Sequence, residues 1–247
     1  MKRLLLFCWL LLPLPFVVWH YGPGQKWLAR DQAHKLIQRA QRAEAEKNWR
    51  EAETLFRDAS QRVRNSDPRL KTQLDIALVR ARYRQGGAVE AIDGIDGLIN
   101  APGFHDQHAE LQREARELAG RIHYHAAWVM RLEGAQKDLW MEEAELARQN
   151  FRLLSEETLS AGRTNYSQLQ QTNLESAVRL QRMGLVELMA GPLPEEGEVM
   201  SGQGLSEQMA RRRGQRGRGQ RPGIGEGDEG PPAGGAGTQR FPGGPGS

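Results

Sequence analysis

Apolar residues recur every three or four positions between residues 33 and 190, the spacing that places them on one face of an α-helix. Short breaks rich in glycine, proline or polar residues interrupt the pattern near 46–48, 85–87, 102–103 and 132–135. The pattern predicts an all-α domain over residues 33–191. We expect a short stack of about three helical hairpins, closed by one capping helix that covers the last hairpin.

The best-defined hairpin lies between Ala33 and Pro68. Its two helices carry facing apolar stripes, which comprise Ala33, Leu36, Ile37, Ala40 and Ala43, then Trp49, Ala52, Leu55, Phe56, Ala59 and Val63. The small residues Ala40 and Ala52 allow the two backbones to approach closely, while Trp49 and Phe56 fill the space beside them. Pro68 ends the unit, because proline disfavours helix at the residue before it.

The later units repeat this plan with less regular spacing. Ala91 takes the place of Ala52 in the second unit, and Gly86 suits the turn that precedes it. The third unit is longer, with apolar positions at Leu111, Ala115, Leu118, Ile122, Ala126 and Val129, and then at Trp140, Ala144, Ala147, Phe151 and Leu154. We predict a polar connection at 155–164 and the capping helix at 165–190.

The first hairpin resembles a tetratricopeptide repeat (TPR), a helix-turn-helix unit of about 34 residues. Ala40, Ala52, Phe56 and Ala59 carry the resemblance, with Trp49 at a position where an aromatic residue is common. The alternative is an ordinary amphipathic hairpin that shares no ancestry with these repeats. The resemblance implies that the first helix of each hairpin lines a concave groove that captures a peptide or helix of a partner protein.

By the same resemblance, four residues of the first helix face the groove: His34, Ile37, Gln41 and Glu44. Some TPR proteins clamp a terminal carboxylate with lysine and asparagine on these helices. Ile37 and Gln41 stand there instead, so that specificity is not expected. The alternative is that all four are merely exposed helix positions.

The sequence predicts a membrane anchor at residues 1–22, followed by a linker at 23–32. An apolar run extends from Leu4 to Trp19, and Lys2 and Arg3 precede it. These charges favour a cytoplasmic N-terminus with the domain outside, and residues 4–21 would contact the membrane. No small-residue cleavage site follows the run. If the segment is nevertheless cleaved, the protein would be secreted or periplasmic.

The C-terminal residues 192–247 are rich in Gly, Pro, Arg, Gln and Glu, and we predict a disordered tail. An acid-free cluster within it contains Arg211, Arg212, Arg213, Arg216, Arg218 and Arg221. Such a cluster can bind anionic lipid headgroups or nucleic acid, or it can simply keep the tail soluble. Nucleic acid is the least favoured partner, because the only aromatic residue of the tail is Phe241.

The sequence contains no convincing reaction centre. The single cysteine, Cys8, excludes an intrachain disulfide and a Cys-based zinc site. His105 and His108 are spaced for one helical turn without an evident third ligand, and His123 and His125 point in different directions on a helix. We therefore expect no catalytic residue, metal or cofactor. The expected function is that of a non-catalytic adaptor in a membrane-associated complex, and anionic-polymer binding through the arginines is the alternative.

Overall fold

The computed structural model describes residues 23–64, 67–162, 164–190 and 204–219, and within them it is entirely helical. Nine α-helices follow one another in this part of the chain: α1 (Pro23–Ala45), α2 (Trp49–Val63), α3 (Pro68–Arg84), α4 (Ala88–Ile99), α5 (Ala109–Leu132), α6 (Lys137–Ser160), α7 (Thr164–Arg182), α8 (Leu185–Ala190) and α9 (Leu205–Gly219). One turn of 3₁₀-helix, Phe104–Asp106, separates α4 from α5. The predicted all-α class is confirmed.

Each helix from α1 to α6 packs against the next one in the chain, and α3 also contacts α5. This order is the repeat-like arrangement that the sequence pattern indicates. The core has two main parts. The first lies among α1, α2 and α3 around Ala40, Ala52 and Phe56, all of which are buried. The second is centred on α4, α5 and α6, and includes Ile92, Ile122 and Trp140.

Local sequence sets the ends of the helices. The Asn48 side chain caps α2 by accepting from the amide of Glu51, and Asp67 caps α3 by accepting from the amide of Leu70 at 3.0 Å. Gly86 and Gly134 occupy left-handed backbone conformations (φ 96° and 74°) in the turns that precede α4 and α6. The predicted turns at 46–48, 85–87 and 132–135 are therefore confirmed.

Three predicted boundaries are wrong. The linker at 23–32 is helical, because Pro23 suits the first position of a helix and α1 begins there. The polar connection at 155–164 is largely the last part of α6, where Thr158 bonds back to the Leu154 carbonyl and is buried. The capping helix breaks at Gly184 into α7 and α8.

The prediction of a disordered tail is wrong for residues 205–219, which form α9 and pack against α4, α5 and α6. Leu205 and Met209 are buried in the second part of the core. The remainder of the predicted tail lies outside the described residues. The predicted membrane anchor at residues 1–22 lies outside them as well. No helix in the described part of the chain combines the length and apolar character needed to cross a membrane.

Candidate protein-binding site

One face of the stack is formed by the first helices of successive hairpins. Arg80 of α3 lies between Glu44 of α1 and Glu114 of α5, with nitrogen–oxygen distances of 3.6 and 3.3 Å. These three side chains therefore bring α1, α3 and α5 side by side. Both ion pairs are partly exposed, so each contributes at most about 1 kcal/mol to the free energy of unfolding. We call this surface the first-helix face.

The four predicted groove residues have different environments. Glu44 lies on the first-helix face, where it pairs with Arg80. Ile37 is half-buried against the first part of the core, while His34 and Gln41 are exposed. Their position leaves His34 and Gln41 accessible, and their role in binding stays a prediction.

Helix α5 of this face also borders a cleft on its α7 side, which we call the α5/α7 cleft. Its first compartment has a volume of about 340 Å³ and is lined by Glu117, Arg121, Tyr124, His125, Phe151, Leu169, Asn173 and Ser176. Phe151 of α6 is buried, whereas Leu169 of α7 is 50% exposed. The Tyr166 hydroxyl donates to the Glu117 carboxylate and thus joins α7 to α5 beside the cleft.

A second compartment of about 270 Å³ adjoins the first, since Tyr124 and Ser176 line both. Trp128 lines it, together with Met183 and Leu188 near the end of the stack. The indole Nε1–H of Trp128 is buried and has no hydrogen-bond acceptor. A buried donor without an acceptor carries a free-energy cost of about 1–3 kcal/mol. The second compartment thus combines apolar side chains with the polar side chains of Ser176, Arg179 and Glu187.

Gly120 of α5 is required for the wall of the first compartment. A Cβ atom at this position would lie 2.6 Å from Cε1 of Phe151, so only glycine leaves room for the ring. Phe151 consequently packs directly on the backbone of α5. The shape of the α5/α7 cleft depends on this contact between α5 and α6.

His125 links the cleft to α3. Its Nδ1 shares a hydrogen bond with the Tyr83 hydroxyl, and the two rings are stacked with centroids 6.0 Å apart. Burial lowers the pKa of His125 to about 4, and the positive charges of Arg121 and Arg84 add to the effect. His125 is therefore neutral at pH 7.

The depressed pKa of His125 predicts a loss of stability in mild acid. In the unfolded chain His125 takes up a proton near pH 6.5, whereas in the folded protein it does so only near pH 4. The contribution of neutral His125 to stability is therefore complete above pH 6.5 and is lost as the pH falls towards 4. Between pH 7 and pH 5 the wild type should lose about 1–2 kcal/mol through this group. Urea unfolding at both pH values checks this. His125→Phe should lose less stability over that interval, and an equal loss in both proteins would contradict the assignment.

His123 lies on the other side of α5 and is 2% exposed. Its Nε2 lies 3.1 Å from Asp96 of α4, and its Nδ1 lies 2.6 Å from Glu143 of α6. Burial would lower the pKa of His123, but the hydrogen bonds and negative charges of these carboxylates outweigh it and raise the pKa to about 9. Both ring nitrogens hold a proton and face a carboxylate. His123 is thus a structural cation with no free nitrogen for acid–base catalysis, and, as predicted, it points away from His125.

The first three arginines of the predicted anionic-surface cluster have internal partners. Arg212 lies within 2.5 Å of Asp93 and 3.2 Å of Asp96, and Arg213 lies 2.7 Å from Asp138. Arg211 pairs with Glu207 on its own helix. Arg212 is only 11% exposed, so it does not face solvent as the sequence interpretation assumed. The side chains of Arg216, Arg218 and Arg221 lie outside the described residues.

The sequence did not reveal the α5/α7 cleft. Two signals were present: α5 and α6 are each 24 residues long, which is longer than the helices of the earlier hairpins, and Gly120 interrupts a strongly apolar helix face. His105 and His108 are both exposed. Within the described ranges, no three His, Cys, Asp or Glu side chains are grouped so that they could hold a metal ion.

Comparison with known proteins adds no assignment. No protein-family model, curated protein sequence or solved structure is significantly similar to the chain.

Proposed function

We propose that this protein is a non-catalytic adaptor that binds a partner protein on its first-helix face, chiefly in the α5/α7 cleft. The observation that carries the proposal is the α5/α7 cleft itself, in which the half-exposed Leu169 shares the lining with Tyr124 and the buried Phe151. Charged and polar side chains, among them Glu117 and Arg121, line the same cleft. An apolar side chain of a bound peptide would pack on Leu169 and Tyr124, while the polar lining would fix its orientation.

The TPR-like organisation of the stack belongs to this proposal. Its support is the sequential packing of α1 to α7, together with the burial of Ala40, Ala52, Phe56 and Ala59. In repeat arrays the face formed by the first helices is the one that binds peptides. His34 and Gln41 of α1 would extend the binding surface beyond the α5/α7 cleft.

Tethering to a membrane is also part of the proposal. The apolar run from Leu4 to Trp19 supplies an anchor sequence. Trp27 and Leu28, at the start of α1, are 67% and 52% exposed. Exposed tryptophan and leucine next to an anchor suit the headgroup region of a bilayer. The adaptor would then hold its partner close to the membrane surface.

A charge placed in the cleft should abolish binding. Leu169→Asp replaces an apolar side chain of the first compartment with a carboxylate, and we expect recovery of the partner with the tagged full-length protein to fall at least tenfold. Because Leu169 is half exposed, the fold should tolerate the change. Quantitative mass spectrometry of proteins co-purified from the membrane fraction checks this.

Leu159→Asp is the matched control, because Leu159 is 55% exposed on α6 and does not line the cleft. It should leave partner recovery unchanged. Equal recovery with both variants would show that the α5/α7 cleft does not bind the partner.

A further inference from the structure

Helix α9 lies in a groove formed by α4, α5 and α6. Leu205 and Met209 are four residues apart and point into the core, where they are 1% and 6% exposed. The amides of Leu205 and Ser206 donate to the Glu133 carboxylate at 3.1 and 2.7 Å. The turn between α5 and α6 thus caps the start of α9 and stabilises it.

The rim of this groove is acidic. Asp93 and Asp96 of α4 hold Arg212, while Asp138 and Glu142 of α6 lie 2.7 and 3.8 Å from Arg213. The four carboxylates belong to the groove and the two guanidinium groups belong to α9. An apolar floor between two acidic walls is complementary to a basic amphipathic helix.

The contacts of α9 are few for a permanent part of the core. Of its described side chains, only Leu205 and Met209 are buried. Gly214, Gly217 and Gly219 weaken the helix, so its helical form depends on docking. The Nε–H of Arg212 is buried without an acceptor, which shows that the groove leaves one donor of α9 unsatisfied.

We propose that the groove between α4 and α6 is a binding site for a basic amphipathic helix of a partner protein, and that α9 occupies it as an intramolecular competitor. The recognised pattern is that of α9: two apolar residues four apart, then two arginines three and four positions after the second. Because α9 belongs to the same chain as the groove, its local concentration is on the order of millimolar. A partner helix displaces α9 when it is abundant or fits the groove better.

Fluorescence anisotropy with a labelled synthetic peptide of residues 204–214 tests the proposal on the full-length protein. The double variant Leu205→Asp, Met209→Asp releases α9 and empties the groove. We expect this variant to bind the peptide at least tenfold more tightly than the wild type does. A peptide with Arg212→Glu should bind at least tenfold more weakly, whereas Arg211→Glu, the matched control, should bind as the unchanged peptide does.

Three results would overturn the proposal. If circular dichroism shows that the double variant has lost its cooperative thermal unfolding, α9 is a permanent part of the core. If the variant is folded but does not bind the peptide more tightly than the wild type, the groove does not accept a helix in trans. If the two arginine-substituted peptides bind equally, the acidic rim is not what recognises the helix.

Discussion

Replacing His123 with leucine should destabilise the protein by about 3–5 kcal/mol at pH 7. Leucine has a similar size but leaves Asp96 and Glu143 without their shared cationic partner, and Glu143 is only 4% exposed. Removal of one member of a buried charge network costs this much because the buried Glu143 carboxylate loses its cation, while Asp96 keeps only Arg212. Urea denaturation followed by circular dichroism measures the change.

The pH dependence of the same substitution follows from the raised pKa of His123. The folded protein keeps the histidine proton up to about pH 9, while the unfolded chain loses it near 6.5. The stabilisation is therefore complete below pH 6.5 and is lost as pH rises through about 9. The stability difference between wild type and His123→Leu should shrink between pH 7 and pH 10.

His108→Leu is the control for this experiment. His108 is exposed, and its side chain makes no capping hydrogen bond at the start of α5. We expect the free energy of unfolding at pH 7 to change by no more than about 0.5 kcal/mol. A His123→Leu protein as stable as this control would show that the buried network contributes nothing to folding.

Replacing Gly120 with valine is the second large effect, and we expect a loss of about 3 kcal/mol. A Cβ atom alone would lie 2.6–2.9 Å from three atoms of the Phe151 ring, and valine adds two methyl groups to it. Overpacking of this kind typically costs about 1–3 kcal/mol, and the branched side chain places valine at the upper end. Because Phe151 lines the α5/α7 cleft, partner binding should also weaken.

Gly97→Val provides the matched comparison within another helix. Apart from its chain neighbours and the backbone of its own helix, no atom lies within 4 Å of a Cβ built at Gly97, and the position is exposed. Stability should be unchanged or slightly higher, since valine has the better helix propensity. Thermal unfolding of both variants compares them directly, and equal melting temperatures would contradict the close contact between α5 and α6.

The first hairpin was predictable because the residues that determine its helices and its turn are close together in the sequence. Ala40, Ala52, Phe56 and Ala59 are buried as their spacing required, and Asn48 and Asp67 cap the next helices. Helical periodicity and capping depend on residues a few positions apart, so the sequence alone contains them. The same applies to the turn at Gly86.

The C-terminal helix was not predictable from its own composition. Glycine and arginine around residues 211–219 indicate disorder when the segment is considered alone. What orders it is distant in sequence: the Glu133 carboxylate and the acids of α4 and α6. Local pattern cannot reveal a helix whose stability comes from its docking site.

The candidate site was predicted only in part. The resemblance to a tetratricopeptide repeat indicated that the first helix, with Glu44, lies on a binding face. It did not indicate the α5/α7 cleft. That cleft depends on the close contact of Gly120 with Phe151 and on the Tyr166–Glu117 hydrogen bond that joins α7 to α5. Both are properties of three-dimensional packing, which cannot be predicted from the local pattern of a single sequence.

Site-specific photo-crosslinking in living cells tests the central claim most directly. A photoreactive amino acid placed at position 169 samples the α5/α7 cleft, and the same amino acid at position 159 samples the exposed surface of α6. Our account predicts a discrete crosslinked partner at position 169 that is absent at position 159 and is lost when Tyr124→Asp is added. A crosslink that forms equally at both positions, or one that persists with Tyr124→Asp, would contradict it.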